Sequence, residues 1–147
     1  MGFKDYLKAW FKWLAYSPDE MPKLGPRIAV IGGGSGLAKL LEGLKRYTHN
    51  LYAIVTVFDS GGSTGRLREQ FHIPALGDLR NCLVALAEEE ELMRDLFAFR
   101  FGEGKELKGH SLGNLFLTAL FKLCGNLQEA TEAASLILKV KGKVLPS

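Results

Sequence analysis

IAVIGGGSGLAKLLEGL, residues 28–44, is the stretch whose reading decides the fold. IAVI (28–31) is a short apolar run of buried-strand type that passes directly into GGGSG (32–36). Leu37, Leu40, Leu41 and Leu44 then recur at helical spacing, with Lys39, Glu42, Lys45 and Arg46 elsewhere around the helix. Asn50 punctuates the chain, and LYAIVTVF (51–58) reads as a second buried strand. Strand, glycine loop, helix and strand make a βαβ unit, whose two strands should be parallel neighbours. The expected class is α/β, a Rossmann-like parallel sheet flanked by helices.

Downstream, the second strand enters another glycine-rich loop, DSGGSTG (59–65), followed by RLREQ. Leu79, Leu83 and Leu86 space a helix after the turn Leu76-Gly77-Asp78, and the acidic run Glu88 to Glu91 opens another, since negative charge favours a helix N-terminus. FGEGKELKG (101–109) reads as a polar loop, SLGNLFLTALFKLCG (111–125) as a buried helix and 127–140 as an amphipathic one. GKVLPS (142–147) reads as the approach to an element that does not arrive. Two strands and some five helices do not complete an open parallel sheet, which normally has several strands and both faces covered. The expectation is therefore the truncated N-terminal half of a larger domain, or one completed by a partner.

Upstream, FKDYLKAWFKWLAY (3–16) places Phe3, Leu7, Trp10, Phe11 and Leu14 on one helical side and Lys4, Lys8 and Lys12 on the other. Such a helix suits a bilayer interface or a partner groove, while the plainer reading docks it on its own domain or on a second copy in a homo-oligomer. The segment from Ser17 to Pro26 holds three prolines and reads as a linker. The expected division is 1–25, amphipathic helix and linker, and 26–147, the N-terminal portion of a nucleotide-binding domain.

Over 147 residues, 47% are hydrophobic and 24% charged, which argues against disorder. A net charge of +3 is too small to point to nucleic acid. No apolar run approaches the roughly 18 residues of a membrane-spanning helix, and no signal-peptide pattern is visible. Cys82 and Cys124 lack metal-ligand spacing and read as reduced core thiols of a cytoplasmic protein.

A strand that ends in glycines and opens a helix gathers backbone N–H groups at a positive helix end, which accepts an anion, most often phosphate. Gly32, Gly33, Gly34, Ser35 and Gly36 fit that geometry but not the dinucleotide fingerprint, because Leu37 stands where a third glycine belongs. The Walker pattern fails for want of a following lysine. A tight turn with close helix packing explains the same glycines without a ligand. The second loop strengthens the case, because adjacent parallel strands deliver both loops to one carboxyl edge, where open α/β sheets bind ligands. Asp59 could accept from a ribose hydroxyl or hold a divalent ion. Ser63, Thr64 and the amides around Gly61, Gly62 and Gly65 can donate to oxyanions, with charge from Arg66 and Arg68. Arg80 and Asn81, after Gly77-Asp78, form a third anion-friendly corner.

GHSLG (109–113) matches the nucleophile-elbow pattern of hydrolases, but polar loop precedes it where a strand is required. Residues 114–147 also contain neither Asp nor His to complete a triad. His110, Ser111 and Asn114 read instead as residues that bind or cap at a helix start.

IGGGSGL (31–37), VTVFDSGGSTGRLR (55–68), GDLRNCLVALA (77–87), FRFGEG (99–104), GHSLGNLF (109–116) and KVLPS follow in an order and spacing that resemble the YvcK family of gluconeogenesis factors, relatives of the CofD phospholactate transferases. The resemblance runs from about residue 26 to the end, and family members continue for about as long again. It implies a cytoplasmic protein that binds a uridine nucleotide sugar such as UDP-N-acetylglucosamine and influences cell shape, wall-precursor supply and carbon metabolism. By the same resemblance, Gly32 to Gly36 and Asp59, Ser60, Gly61, Gly62, Ser63, Thr64, Gly65 and Arg66 would line the nucleotide site. Asp78, Arg80, Asn81, His110, Ser111 and Asn114 would complete its near wall. Ser60 stands where members often carry a second Asp, which weakens a metal site, although Asp59 and Asp78 remain candidates for Mg²⁺. The alternative is a Mg²⁺-dependent CofD-like transferase of a phosphoryl-linked group, for which His110 is the one candidate base.

Overall fold

In a computed structural model, the described residues are Gly2, Asp5, 25–58, 61–88 and 91–147. The aromatic helix read over 3–16 lies outside them, Asp5 excepted, as do the linker up to Leu24 and the loop residues Asp59 and Ser60. The elements run β1 (Ile28–Gly32), α1 (Gly34–Leu44), β2 (Leu51–Val55), α2 (Gly62–Phe71), α3 (Gly77–Leu86), α4 (Glu91–Ala98), α5 (Leu112–Cys124), α6 (Leu127–Ile137) and β3 (Lys143–Pro146). The strands form one parallel sheet in the order β1-β2-β3. The βαβ unit read from the sequence is therefore present, with Ile28 opposite Leu51 and Gly32 opposite Val55.

Several boundaries differ from the sequence reading: α2 begins at Gly62, inside the stretch read as a loop to Gly65, and α6 ends at Ile137 rather than at 140. The second strand stops at Val55 rather than Phe58, although Thr56 still donates its N–H to the Gly32 carbonyl at 2.8 Å. GKVLPS does contain a completed element: Lys143–Pro146 is β3, paired with β2 from Tyr52–Lys143 to Val55–Pro146. The tight entry at Gly142 allows it. This residue has φ +94°, and a Cβ there would lie 2.6 Å from the Leu51 carbonyl oxygen. Pro146, which has no N–H to give, sits on an edge strand that tolerates it.

The core lies on one face of the sheet. Leu51, Ala53, Val55 and Val144 point into it and meet Leu37 and Leu41 of α1, Leu79, Cys82, Leu83 and Leu86 of α3, Leu117 of α5 and Ala133 and Ala134 of α6. Cys82 and Cys124 are both buried there as thiols. The other face carries Ala29, Ile31, Tyr52, Ile54 and Leu145, and Ile31 is 72% exposed. Among the described residues the helices therefore cover one face, where the usual open sheet has two covered. No described helix is long and apolar enough to cross a membrane.

What this architecture positions is the carboxyl edge of the sheet. α1 leaves β1 at Gly33, α2 follows β2 after Gly61, and α3 and α5 start nearby, so four helix N-termini converge.

Candidate functional site

The second glycine loop starts α2 without a side-chain cap among the described residues. Gly61 is extended and Gly62 sits at φ +50°, a left-handed conformation that suits glycine. Ser63 and Thr64 follow in the first turn and are both buried. They face α5, which is capped in the ordinary way: Ser111 Oγ accepts from the Asn114 N–H at 3.2 Å. The sequence reading of Ser111 as a capping residue is thus what the geometry shows, and the hydrolase pattern at GHSLG is a helix cap.

Asn114 is the hub. Its Nδ2 donates to Ser63 Oγ at 3.1 Å and to Thr64 Oγ1 at 3.4 Å, while its Oδ1 accepts from Arg80 Nη1 at 3.2 Å. Arg80 also donates to Ser111 Oγ at 2.6 Å and to Asn81 Oδ1 at 2.7 Å. Ser63 Oγ and His110 Nδ1 lie 2.8 Å apart. No buried side-chain polar atom among the described residues lacks a partner, so this network is satisfied as it stands. Burial and the Arg66 charge hold the His110 imidazole below its ordinary pKa, favouring the neutral ring. Burial and then the neighbouring Arg100 lower the Arg80 pKa, with Asp78 pulling the other way.

In front of the network opens a cavity of about 510 Å³, within the range of small-molecule sites. It is lined by Gly61, Gly62, Ser63, Thr64, Arg66, Gly77, Arg80, Asn81, Arg100, Gly109 and Asn114. Among the described residues that line it none is a carboxylate, and the ion pair of Lys39 with Glu42 lies elsewhere on α1. Three guanidiniums, two hydroxyls and a helix N-terminus facing one polar space have the chemistry that suits an anion.

The sequence candidates divide accordingly. Gly61, Gly62, Ser63, Thr64, Arg66, Arg80, Asn81 and Asn114 meet in the cavity, with His110 and Ser111 directly behind it. Gly32, Gly34, Gly36, Gly65 and Arg68 do not line it. Ser35 lines a neighbouring cavity of about 220 Å³ that shares Arg80 and Asn81. Gly33 serves close packing: a Cβ there would lie 2.5 Å from Thr56 Oγ1 and 2.8 Å from Asp78 Oδ2. Asp78 thus stands against the first glycine loop, and Asp59 and Ser60 fall outside the described residues. Among the described residues no three His, Cys, Asp or Glu side chains gather as a metal cluster.

The sequence reading missed Arg100 and Gly109. They enter because 101–109 is the closed end of a hairpin-like turn rather than a simple loop. Phe101 donates to the His110 carbonyl at 3.0 Å, Leu112 to that of Phe99 at 2.9 Å, and Arg100 pairs antiparallel with Ser111. Only that pairing carries Arg100 back to the site.

Against this geometry, the sequence model described as 2-phospho-L-lactate transferase CofD matches residues 28–147. The chain belongs to the CofD family. Within that family it is 57% identical over 123 residues to a putative gluconeogenesis factor of Nostoc, covering 84% of this chain and 27% of the relative. It is 52% identical to the gluconeogenesis factor of Bacillus subtilis, covering 83% of this chain and 38% of that protein. A crystal structure of a Bacillus halodurans protein superposes with a TM-score of 0.80 at 49% identity, over 83% of this chain and 39% of that one. This CofD-family chain therefore spans between about a quarter and two fifths of the relatives it matches.

Proposed function

We propose that this CofD-family chain carries the phosphate-binding part of a nucleotide-sugar site in a regulatory protein of the gluconeogenesis-factor type, with UDP-N-acetylglucosamine as the ligand. The observation behind this reading is the cavity in which the α2 N-terminus, Ser63, Thr64, Arg66, Arg80 and Arg100 converge. Charge-assisted bonds from guanidinium and backbone N–H to phosphate oxygens are the strong ones, and this arrangement supplies both kinds. Cytoplasmic location and an influence on cell shape and carbon supply belong to the same reading.

Binding without turnover is favoured by the position of the one candidate base. His110 is 3% exposed, and Ser63 occupies its Nδ1, so the ring supports the wall of the site. The test is thermal unfolding of the chain titrated with UDP-N-acetylglucosamine, UDP, NAD and GTP, with and without Mg²⁺. A ligand at about 100 times its Kd adds roughly 2.7 kcal/mol. Stabilisation by the uridine diphosphates but not by NAD or GTP is the expected result. Release of a transferred group from the nucleotide sugar, lost in His110→Ala while binding persists, would instead establish the transferase.

A further inference from the structure

The hairpin-like turn between α4 and α5 brings two guanidiniums to consecutive carbonyls. Arg66 Nη2 donates to the Lys108 carbonyl at 2.7 Å, and Arg100 Nη1 donates to the Gly109 carbonyl at 3.0 Å. Each bond uses one of the five N–H donors on its guanidinium, and both side chains still line the cavity. Gly109 makes the approach feasible: it sits at φ +82°, and a Cβ there would lie 2.9 Å from Arg66 Nη2. Arg80, which also lines the cavity, is anchored separately by Ser111, Asn114 and Asn81. Three positive groups are thus fixed around one space by neutral acceptors, each with donors left over. Burial first, and then the Arg100 charge, lower the Arg80 pKa. Such like-charge crowding is relieved by an anion that spans both groups.

Resting on the phosphate-site reading above, we infer that Arg100 is a specificity-determining residue. Held by the Gly109 carbonyl on one rim of the cavity, it takes the second phosphate of a diphosphate whose first phosphate sits on Ser63, Thr64 and Arg80. The site then discriminates a diphosphate from a monophosphate through Arg100, with Arg66 beside it. Carbonyl anchoring matters because a guanidinium already held in place loses little side-chain freedom when phosphate arrives.

The experiment is calorimetric titration of the full chain with inorganic pyrophosphate, inorganic phosphate, UDP and UMP, for the unmodified protein, Arg100→Gln and Arg100→Lys. The unmodified protein should prefer pyrophosphate to phosphate and UDP to UMP. Arg100→Gln should weaken the two diphosphates by roughly ten- to hundredfold, the size of a lost charge-assisted bond, and change the monophosphates by less than about threefold. Arg100→Lys, which keeps the charge and loses the fork, should recover part of the loss. Unfolding temperatures of both variants, measured without ligand, separate loss of contact from loss of fold. Equal losses for mono- and diphosphates, or undiminished preference in Arg100→Gln and Arg100→Lys, overturn the role of Arg100 while leaving the phosphate site standing. No binding of any of the four probes by the unmodified protein overturns the site reading itself and this inference with it.

Discussion

Asn114 is where stability and binding can be pulled apart. Asn114→Ala removes two hydrogen bonds donated to Ser63 and Thr64 and one accepted from Arg80. A neutral bond is worth about 1 kcal/mol net, and one to a charged group about 1.5–3 kcal/mol. The lengths, 3.1 to 3.4 Å, place these bonds toward the weak end, and water from the cavity can replace some of them. A loss of about 2 kcal/mol follows, or roughly 4–8 °C in Tm for a domain of this size. Asn114→Asp behaves differently. Its carboxylate still accepts from Arg80, and the hydroxyls of Ser63 and Thr64 can turn to donate to it, so stability should fall by less than in the alanine variant. It nevertheless sets a negative charge against the cavity, and phosphate binding should drop by tenfold or more, about 1.4 kcal/mol or above. Urea unfolding gives the first quantity and titration with UDP the second. An alanine variant as stable as the unmodified protein would refute the hub role. An aspartate variant that binds phosphate undiminished would refute the anion receptor.

Three further outcomes are expected. Gly113→Ala puts a Cβ 2.8 Å from the Phe97 carbonyl oxygen and 2.9 Å from its ring, where backbone cannot easily give, so urea unfolding should show a loss of about 1–3 kcal/mol. A loss under about 0.5 kcal/mol would mean α4 and α5 are less tightly fitted than described. His110 should make the fold acid-sensitive: above the ordinary pKa of 6.5 the ring is neutral in both states, and below it the unfolded chain takes up the proton that burial and Arg66 resist in the fold. Stability should therefore fall as pH drops from about 6.5 toward the lowered folded-state value, and parallel pH profiles for the unmodified protein and His110→Gln would count against this. Cys82, its thiol pushed up to about 12 first by burial and then by Asp78, should resist an aromatic disulfide reagent in the native state and react on unfolding. Labelling at the same rate in both states would contradict the packing of α3.

How far the sequence reached depended on how local each feature was. The strand at 28–31, the glycine break and the leucine face of α1 obey period and turn rules that act within a few residues, so the βαβ unit was legible in them. So was the caution over GHSLG, since a nucleophile elbow needs a preceding strand and FGEGKELKG is not one. β3 was not legible, because Val144-Leu145-Pro146 is too short for any period and becomes a strand only by pairing with β2.

The same division runs through the site. Sequence alone pointed to two glycine loops leaving parallel strands on one edge, and with them to Ser63, Thr64, Arg66 and Arg80 as candidates for an anion, with Asn114 as a residue that binds or caps. It could not distinguish the two loops. Only tertiary structure showed that Gly33 makes room for Thr56 and Asp78 while Gly61 and Gly62 open onto the cavity, because close approach is set by atoms far away in the chain. Arg100 likewise became part of the site only when the 99–112 turn paired with itself and met α2 through Arg66 and the Lys108 carbonyl, residues 42 positions apart that no local pattern links.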